Sequence, residues 1–538
     1  MVDRHPTRLN ILQIRPAGPG ETAEMLQSTL RTIQSGPILH PFLFAIHPIL
    51  FLWSSNIGEL SHYTSAADLL LPMVISLIVT LFLLALLWII LRDWKKVALL
   101  VSFSLVLFFS YGYIKEFISD SGIFGDAKNR YMVSIWATTS VLGGLLLLRY
   151  GSKLRGLTNP LNFVAFVLVV LTFPNFVSHK PISDFPLPED TTNFAFDSIQ
   201  QQQVEAQPDI YYITTEGYNS ARNLKKFLDY DNSEFVNYLE RNGFYVASDS
   251  NSNHNWTTAS LAASLNMEIY DHITVDDFDG LHPRDGFYRL LFDNKVMRLL
   301  RARGYRIVYL RERFSPKGKL SSRDLYYGCE KVGRVALHSE EFAGALLHFT
   351  ALQPVLSEFA FLESTKLGLR RCDFSQLAKS KHLDGPKMVF IHLRGPGKEF
   401  LSGTNSLITY RGQLTFTNQG LRQVVDSLLF DRDYSPVIII QGDHGEGAFF
   451  GDPQSHATRD DVIPGRMGIL NAYHLPRGGN SLLYPSISPV NSFRVIFNYY
   501  FGTDYALLDD RSIYSDLLVD NIMEYYEVTD VVRRATDD

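Results

Sequence analysis

The sequence predicts a protein of two parts: about five transmembrane helices near the amino terminus, then an α/β domain whose mostly parallel sheet is covered by helices on both faces. Three observations carry this. Five long uncharged apolar runs crowd into the first third of the 538-residue chain. A polar, proline-containing stretch then interrupts the apolar pattern. Beyond it, short apolar runs ending in small or acidic residues alternate with amphipathic stretches, as in a sheet buried under helices on both sides.

The uncharged runs are 32–58, 69–91, 97–114, 131–148 and 156–177. Each is about 18 residues or longer, the length a helix needs to cross a hydrocarbon core of about 30 Å. Buried helices of a soluble core fit poorly, because 69–91 holds no charged side chain over its whole length. Pro37, Pro41 and Pro48 interrupt the first run and Pro174 the last.

Orientation follows from the basic residues in the short connections. Arg4, Arg8, Arg15 and Arg31 precede the first run; Arg92, Lys95 and Lys96 lie in the second connection, and Arg149, Lys153 and Arg155 in the fourth. These are expected in the cytoplasm. The first connection has Glu59 and Asp68 without Lys or Arg, and the third mixes Lys115, Lys128 and Arg130 with Glu116, Asp120 and Asp126. These are expected outside. Five crossings then deliver everything after about residue 180 to the extracytoplasmic face of a plasma (inner) membrane. The first run starts too late for a cleaved signal peptide. The expected division is a cytoplasmic segment 1–31, a membrane part 32–180, a linker 181–207 and an extracytoplasmic domain 208–538.

The linker reading rests on Pro181, Pro186, Pro188 and the run Gln200 to Gln203. Lys and Arg total 50 against 56 Asp and Glu, and no basic tract occurs. A nucleic-acid partner is therefore not expected. Cys329 and Cys372 both fall in the exported part, where a disulfide and two buried thiols remain equally open. Neither has the spacing of a metal knuckle.

In the domain, strands are expected at 209–215, 306–310, 388–393, 437–441 and 467–472, and helices at 234–242, 291–303 and 420–429. Ligands of such sheets sit beyond the carboxyl ends of the strands. The first strand ends in Glu216-Gly217-Tyr218, a later one in Asp443-His444-Gly445-Glu446-Gly447, and the central one carries His392 near its end. Carboxylates with an adjacent imidazole suit Mn, Zn or Mg. Gly442, Gly445 and Gly447 would let the backbone turn sharply enough to aim both side chains. The competing structural reading is a loop aspartate capping a helix beside an exposed histidine. For a nucleophile, Asn253-His254-Asn255-Trp256-Thr257-Thr258 precedes a small-residue helix, and a hydroxyl there would sit among free backbone N–H groups. Simple capping by Thr257 or Thr258 explains the same spacing.

The blocks PDIYYITTEGYNS, DNSEFVNYLERNGFYVASDSNSNHNWTTASLAASLNM, VIIIQGDHGEG, RMGILNAYHLP and LYPSISPVNSFRVIFNYYFGTDYALLDDRS together resemble the membrane-anchored sulfatase-like branch of the alkaline phosphatase superfamily. The resemblance spans about 208–515. The five-span anchor with an exported domain is similar to lipoteichoic acid synthases and lipid A phosphoethanolamine transferases. It implies an alkaline-phosphatase-like domain holding one divalent ion, manganese ahead of zinc, magnesium or calcium. The implied ligands are Glu216, Thr257, Asp443 and His444. Thr257 is then the nucleophile, with His392 and Arg394 binding substrate. The implied activity is a metal-dependent phosphotransferase or hydrolase acting on a phospho-substituted membrane lipid head group or an envelope polymer or glycan.

Two departures from that family qualify the expectation. The formylglycine context C/S-x-P-x-R is present at neither Cys329 nor Cys372, which disfavours sulfate-ester hydrolysis. Where the family has HxxxPHPPF, this chain reads His392-Leu393-Arg394-Gly395-Pro396-Gly397-Lys398-Glu399-Phe400, with Gly397 in place of the second histidine. Arg394 and Lys398 could bind phosphate there instead, and solvated surface charge explains the pair equally well. A catalytically degenerate binding module is the competing reading. A transporter fits less well, because the spans lack charged residues.

Overall fold

In the computed structural model, the described residues are 37–56, 69–120, 128–174, 207–274, 276–278, 283–310, 324–327, 342, 346–354, 373–397, 407–431, 435–446, 459–517 and 523–537. Cys329, Cys372, Lys398 and Gly447 lie outside them, as does the body of the expected linker. The chain divides into two compact units, 1–52 with 69–173 and 53–68 with 174–538.

The first unit holds α1 (His40–Ser55), α2 (Leu70–Leu91), α3 (Trp94–Asp120), α4 (Lys128–Tyr150) and α5 (Thr158–Val170), with a 3-10 turn over Gly151–Leu157. Among the described residues, one helix lies in each of the five apolar runs. α2 stops at Arg92, whose left-handed backbone returns its N–H to Trp88 O at 2.9 Å. A Cβ on Gly143 would lie 2.2 Å from the Phe103 ring, so this glycine lets α4 approach α3 closely. Asn162 at the start of α5 accepts from the N–H groups of Leu39 and His40, at 3.0 and 2.8 Å, and so fixes the start of α1. Ile78, Phe82, Ile90, Leu142 and Phe163 point outward, an arrangement suited to lipid rather than water. Three stretches, Leu70–Leu91, Trp94–Lys115 and Tyr131–Val170, are long and apolar enough to cross a membrane. α1 is shorter, at 16 residues with Pro48 inside it.

The second unit is built on β1 (Ile210–Thr215), followed by α6 (Ala221–Leu228), α7 (Ser233–Arg241), β2 (Tyr245–Val246), α8 (Thr257–Asn266), α9 (Pro283–Phe292) and α10 (Lys295–Ala302). Then come β3 (Arg306–Leu310), β4 (Leu325–Tyr327), β5 (Lys387–Leu393), α11 (Leu407–Leu428), β6 (Val437–Gly442), α12 (Arg459–Met467), β7 (Asn471–His474) and α13 (Pro489–Phe501). A separate antiparallel pair, β8 (Ile513–Leu517) and β9 (Met523–Glu527), precedes α14 (Thr529–Asp537). The main sheet has seven strands in the order β2-β7-β6-β1-β5-β3-β4. Its pairs are parallel from β6 through β4, whereas β7 runs antiparallel to both β6 and β2.

Strand periodicity explains the two-sided cover. Ile210 and Tyr212 of β1 enter one buried cluster with Leu261 and Leu265 of α8 and Phe493 and Phe497 of α13. Tyr211 and Ile213 enter the other with Leu224 of α6, Phe235 of α7 and Leu421 and Val425 of α11. β1 thus sits at the centre of the domain, its whole length buried.

Three expectations shift. The stretch 291–303 divides at Asn294, whose side chain accepts from Met297 N and caps α10. The helix expected at 420–429 is the end of the longer α11. The strand expected at 467–472 begins only at Asn471, because Met467 closes α12.

Candidate metal and nucleophile site

Register places three strand ends side by side. Thr215, the last residue of β1, pairs with Leu393 of β5 and with Gly442 of β6. The ladder continues one step further, with Glu216 N donating to Leu393 O at 2.9 Å and Asp443 N to Thr215 O at 3.1 Å. Glu216, His392, Asp443 and His444 therefore converge at the carboxyl edge of the sheet. Glu216, Asp443 and His444 each offer a ligand atom within 4.8 Å of the others, a group that could hold a metal ion.

Local hydrogen bonds orient each ligand. Asp443 Oδ1 accepts from Gly217 N at 2.9 Å and His444 N at 2.8 Å, which turns Oδ2 toward the cluster. His444 Nδ1–H donates to Gly445 O at 3.0 Å, so Nε2 presents its lone pair to the same point. Burial, with the Arg466 guanidinium alongside, lowers the His444 pKa below its ordinary value, so the ring is neutral at physiological pH. His392 lies behind Glu216, its Nε2 3.2 Å from Glu216 Oε2 and its Nδ1 3.0 Å from the Thr214 hydroxyl. With Nε2 protonated, the ring donates to the carboxylate and leaves Glu216 Oε1 facing the cluster.

Thr257 Oγ1 lies 3.2 Å from His444 Nε2 and donates to it. The helix cap is Trp256, with no side-chain cap bond, and Thr257 occupies the first helical position. Neither threonine is the cap, because the hydroxyl of Thr257 is turned to the imidazole. Ser260, one turn on along the same face, donates to Asp443 O and ties α8 to the ligand loop. Thr258 is buried in the domain.

The charge distribution decides what the cluster can hold. His444 Nε2 is 3.3 Å from Asp443 Oδ2 and 3.7 Å from Glu216 Oε1. Asp443 Oδ2 is buried without a hydrogen-bond donor among the described residues. Two carboxylates with oxygens within 4.8 Å of each other repel by roughly 3.5 kcal/mol at an effective dielectric of about 20. A purely organic Thr–His nucleophile pair leaves that repulsion standing. A divalent cation removes it, and the donor set of two carboxylates, an imidazole and a hydroxyl suits one.

Glycine requirements differ from the sharp turn the sequence suggests. Gly442 and Gly445 have ordinary backbone angles; a Cβ on Gly445 would lie 2.2 Å from Gly465 O, and one on Gly442 would lie 2.4 Å from Tyr218 O. Close approach is what demands glycine at both. Left-handed geometry is required instead at Gly217, with φ of 63°. Gly397, which stands where the HxxxPHPPF motif has its second histidine, donates its N–H to Glu216 O at 2.8 Å, and a Cβ there would lie 2.8 Å from Glu216 Cγ. Arg394 follows β5 directly and is half-buried.

Two residues at the site escaped the sequence reading. Asn219 joins three loops, accepting from Glu446 N at 2.7 Å and donating to Gly465 O at 2.5 Å. Arg466 donates to Asn255 O at 2.8 Å and to Gly445 O at 3.2 Å, while Nη2 lies 3.4 Å from His444 Nε2. His254, inside the quoted nucleophile segment, is structural: it is fully buried, accepts from Tyr270 N at 3.3 Å, and burial pushes its pKa down to about 3.

No family description matches the chain, and no curated protein matches it significantly. Solved structures similar to it include the integral membrane lipooligosaccharide phosphoethanolamine transferase A of Neisseria meningitidis, with 12% identity over 86% of this chain and 96% of that one, TM-score 0.36. The periplasmic domain of EptC from Escherichia coli with zinc has 11% identity over 56% of this chain and 86% of its own, TM-score 0.35. A protein of the alkaline phosphatase superfamily from Vibrio parahaemolyticus has 10% identity over 60% and 75%, TM-score 0.32.

Proposed function

We propose that the chain is a membrane-bound, metal-dependent phosphoryl-group transferase or hydrolase with Thr257 as nucleophile. Its substrate is a phospho-substituted lipid head group or envelope glycan, met at the extracytoplasmic surface. The observation that carries this is the convergence of Glu216, Asp443 and His444, one buried carboxylate oxygen without a donor, on the hydroxyl at the start of α8. Glu216, Thr257, Asp443 and His444 would hold the ion, manganese ahead of zinc, magnesium or calcium. Bound there, a divalent ion lowers the pKa of a hydroxyl and offsets charge on phosphoryl oxygens.

The chain's own residues supply the rest. Thr257 Oγ loses its proton and bonds to phosphorus while the bond from phosphorus to the donor's oxygen breaks; that oxygen leaves with a proton as an alcohol. An acceptor hydroxyl or water then attacks phosphorus, the bond to Oγ breaks, and Thr257 recovers its proton. His392 keeps Glu216 oriented, and the three-loop tie at Asn219 keeps Asp443 and Gly217 in register.

The test is intact-mass analysis of the full chain in detergent, loaded with Mn²⁺ and incubated with candidate phospholipids. The expected result is a phosphorylated adduct on the peptide 253–267, absent from Thr257→Ala. Metal binding without adduct or turnover for any donor would instead favour a binding module.

A further inference from the structure

We infer that Arg466 is the side chain that grips the phosphoryl group of the substrate, an inference that rests on the phosphoryl-transfer reading above. Arg466 was expected neither as a ligand nor as a binding residue, yet its guanidinium is held at the cluster by two backbone carbonyls. Nε donates to Asn255 O and Nη1 to Gly445 O, at 2.8 and 3.2 Å. One carbonyl lies two residues before the nucleophile and the other directly follows His444. The fork is thus clamped between the nucleophile segment and the ligand loop, and its plane is fixed before anything binds.

The third donor is the informative one. Nη2 lies 3.4 Å from His444 Nε2, at the long edge of hydrogen bonding, against a lone pair that faces the metal cluster. With that lone pair taken up by a cation, Nη2 would be left to donate to a bound substrate instead. Charge balance calls for such a donor. Glu216 and Asp443 would offset a divalent ion, while a phosphoryl group brings at least one further negative charge and the attack of Thr257 another. A guanidinium presenting N–H groups to non-bridging phosphoryl oxygens meets that need, with no rearrangement of its other two bonds.

The test uses the full chain in detergent, with inorganic phosphate as the probe, and compares wild type with Arg466→Gln and Arg466→Lys. Metal content is read by elemental analysis, phosphate binding by calorimetry on the metal-loaded protein, and fold by thermal melting. The expected result is unchanged metal content in Arg466→Gln with phosphate affinity down about 10- to 100-fold, and an intermediate loss in Arg466→Lys, which keeps the charge but not the fork. Arg466→Gln that binds phosphate like wild type, or that loses metal and phosphate together, would make Arg466 only a tie between loops. A wild type that holds no metal at all would overturn the phosphoryl-transfer reading itself, a distinguishable outcome.

Discussion

Thr257 and Ser260 lie one turn apart on α8 and divide the work of that face: one hydroxyl meets His444, the other holds the backbone of Asp443. Thr258 is rotated about 100° away and buried. Thr257→Ala should therefore lower turnover at least ~1,000-fold while leaving the melting temperature nearly unchanged, since its hydroxyl caps nothing. Thr258→Ala should cost about 1 kcal/mol of stability and less than about 10-fold in rate. Thr257→Ser should retain measurable turnover. Equal effects at both threonines, read by steady-state kinetics, would contradict the assignment. Asp443→Asn separates charge from shape in the same way. The amide oxygen can still accept from Gly217 N and His444 N, but the charge beside Glu216 is gone. Metal affinity should fall about 100-fold or more, while the metal-free protein should melt about 2–4 °C higher because the carboxylate repulsion is relieved. A lower melting temperature without metal would mean that the carboxylates do not repel in the empty protein.

The direction of β7 explains which site residues the sequence disclosed. Glu216, Asp443 and His444 follow parallel strands, and in a parallel sheet the residues after each apolar run gather at one edge; reading strand ends finds them. β7 is antiparallel to β6, with Asn471 opposite Gln441, so its beginning lies at that same edge. Arg466, five residues before Asn471, therefore lands at the site, whereas a sheet read as parallel puts it on the far side. Asn219 escaped for a different reason: its role is a meeting of three loops, which no local periodicity encodes. The clasp between β1 and β5 was half visible, as a glycine where the HxxxPHPPF motif has its second histidine. Gly217 and Gly397 pack backbone to backbone, a Cβ on Gly217 lying 2.9 Å from Gly397 Cα. Any side chain at 397 must push Glu216 aside. Gly397→Ala and Gly397→His should both lower metal affinity, measured by elemental analysis after dialysis, and the histidine should restore nothing. Tighter metal binding in Gly397→His would show that the loop can move to admit a ligand.

Across the membrane unit, the described structure joins two features that positive-inside counting treats separately. The connection after α2 and the one after α4 touch: Arg155 donates to Asp93 at 2.6 Å, Ser152 donates to the same carboxylate oxygen at 3.0 Å, and Gly151 packs against the Lys96 stem. Both connections must then lie on one side of the bilayer. Together they carry Arg92, Lys95, Lys96, Arg149, Lys153 and Arg155, a basic cluster expected to face the cytoplasm. α3 and α4 form an out-and-back pair between them, and α5 leads away from the basic face. At 13 residues α5 rises only about 20 Å, short of a hydrocarbon core of about 30 Å, so a fifth crossing would need apolar residues beyond Val170. A periplasmic-active reporter fused after residue 177 should accordingly be active, and a cytoplasm-active one inactive; fusions at Lys95 and Lys153 should both show the reverse. Activity of the two basic connections on opposite sides would break the contact seen between them. Activity of the fusion after residue 177 only in the cytoplasm would leave α5 uncrossed and remove the domain from the surface where a lipid-linked donor could meet Thr257.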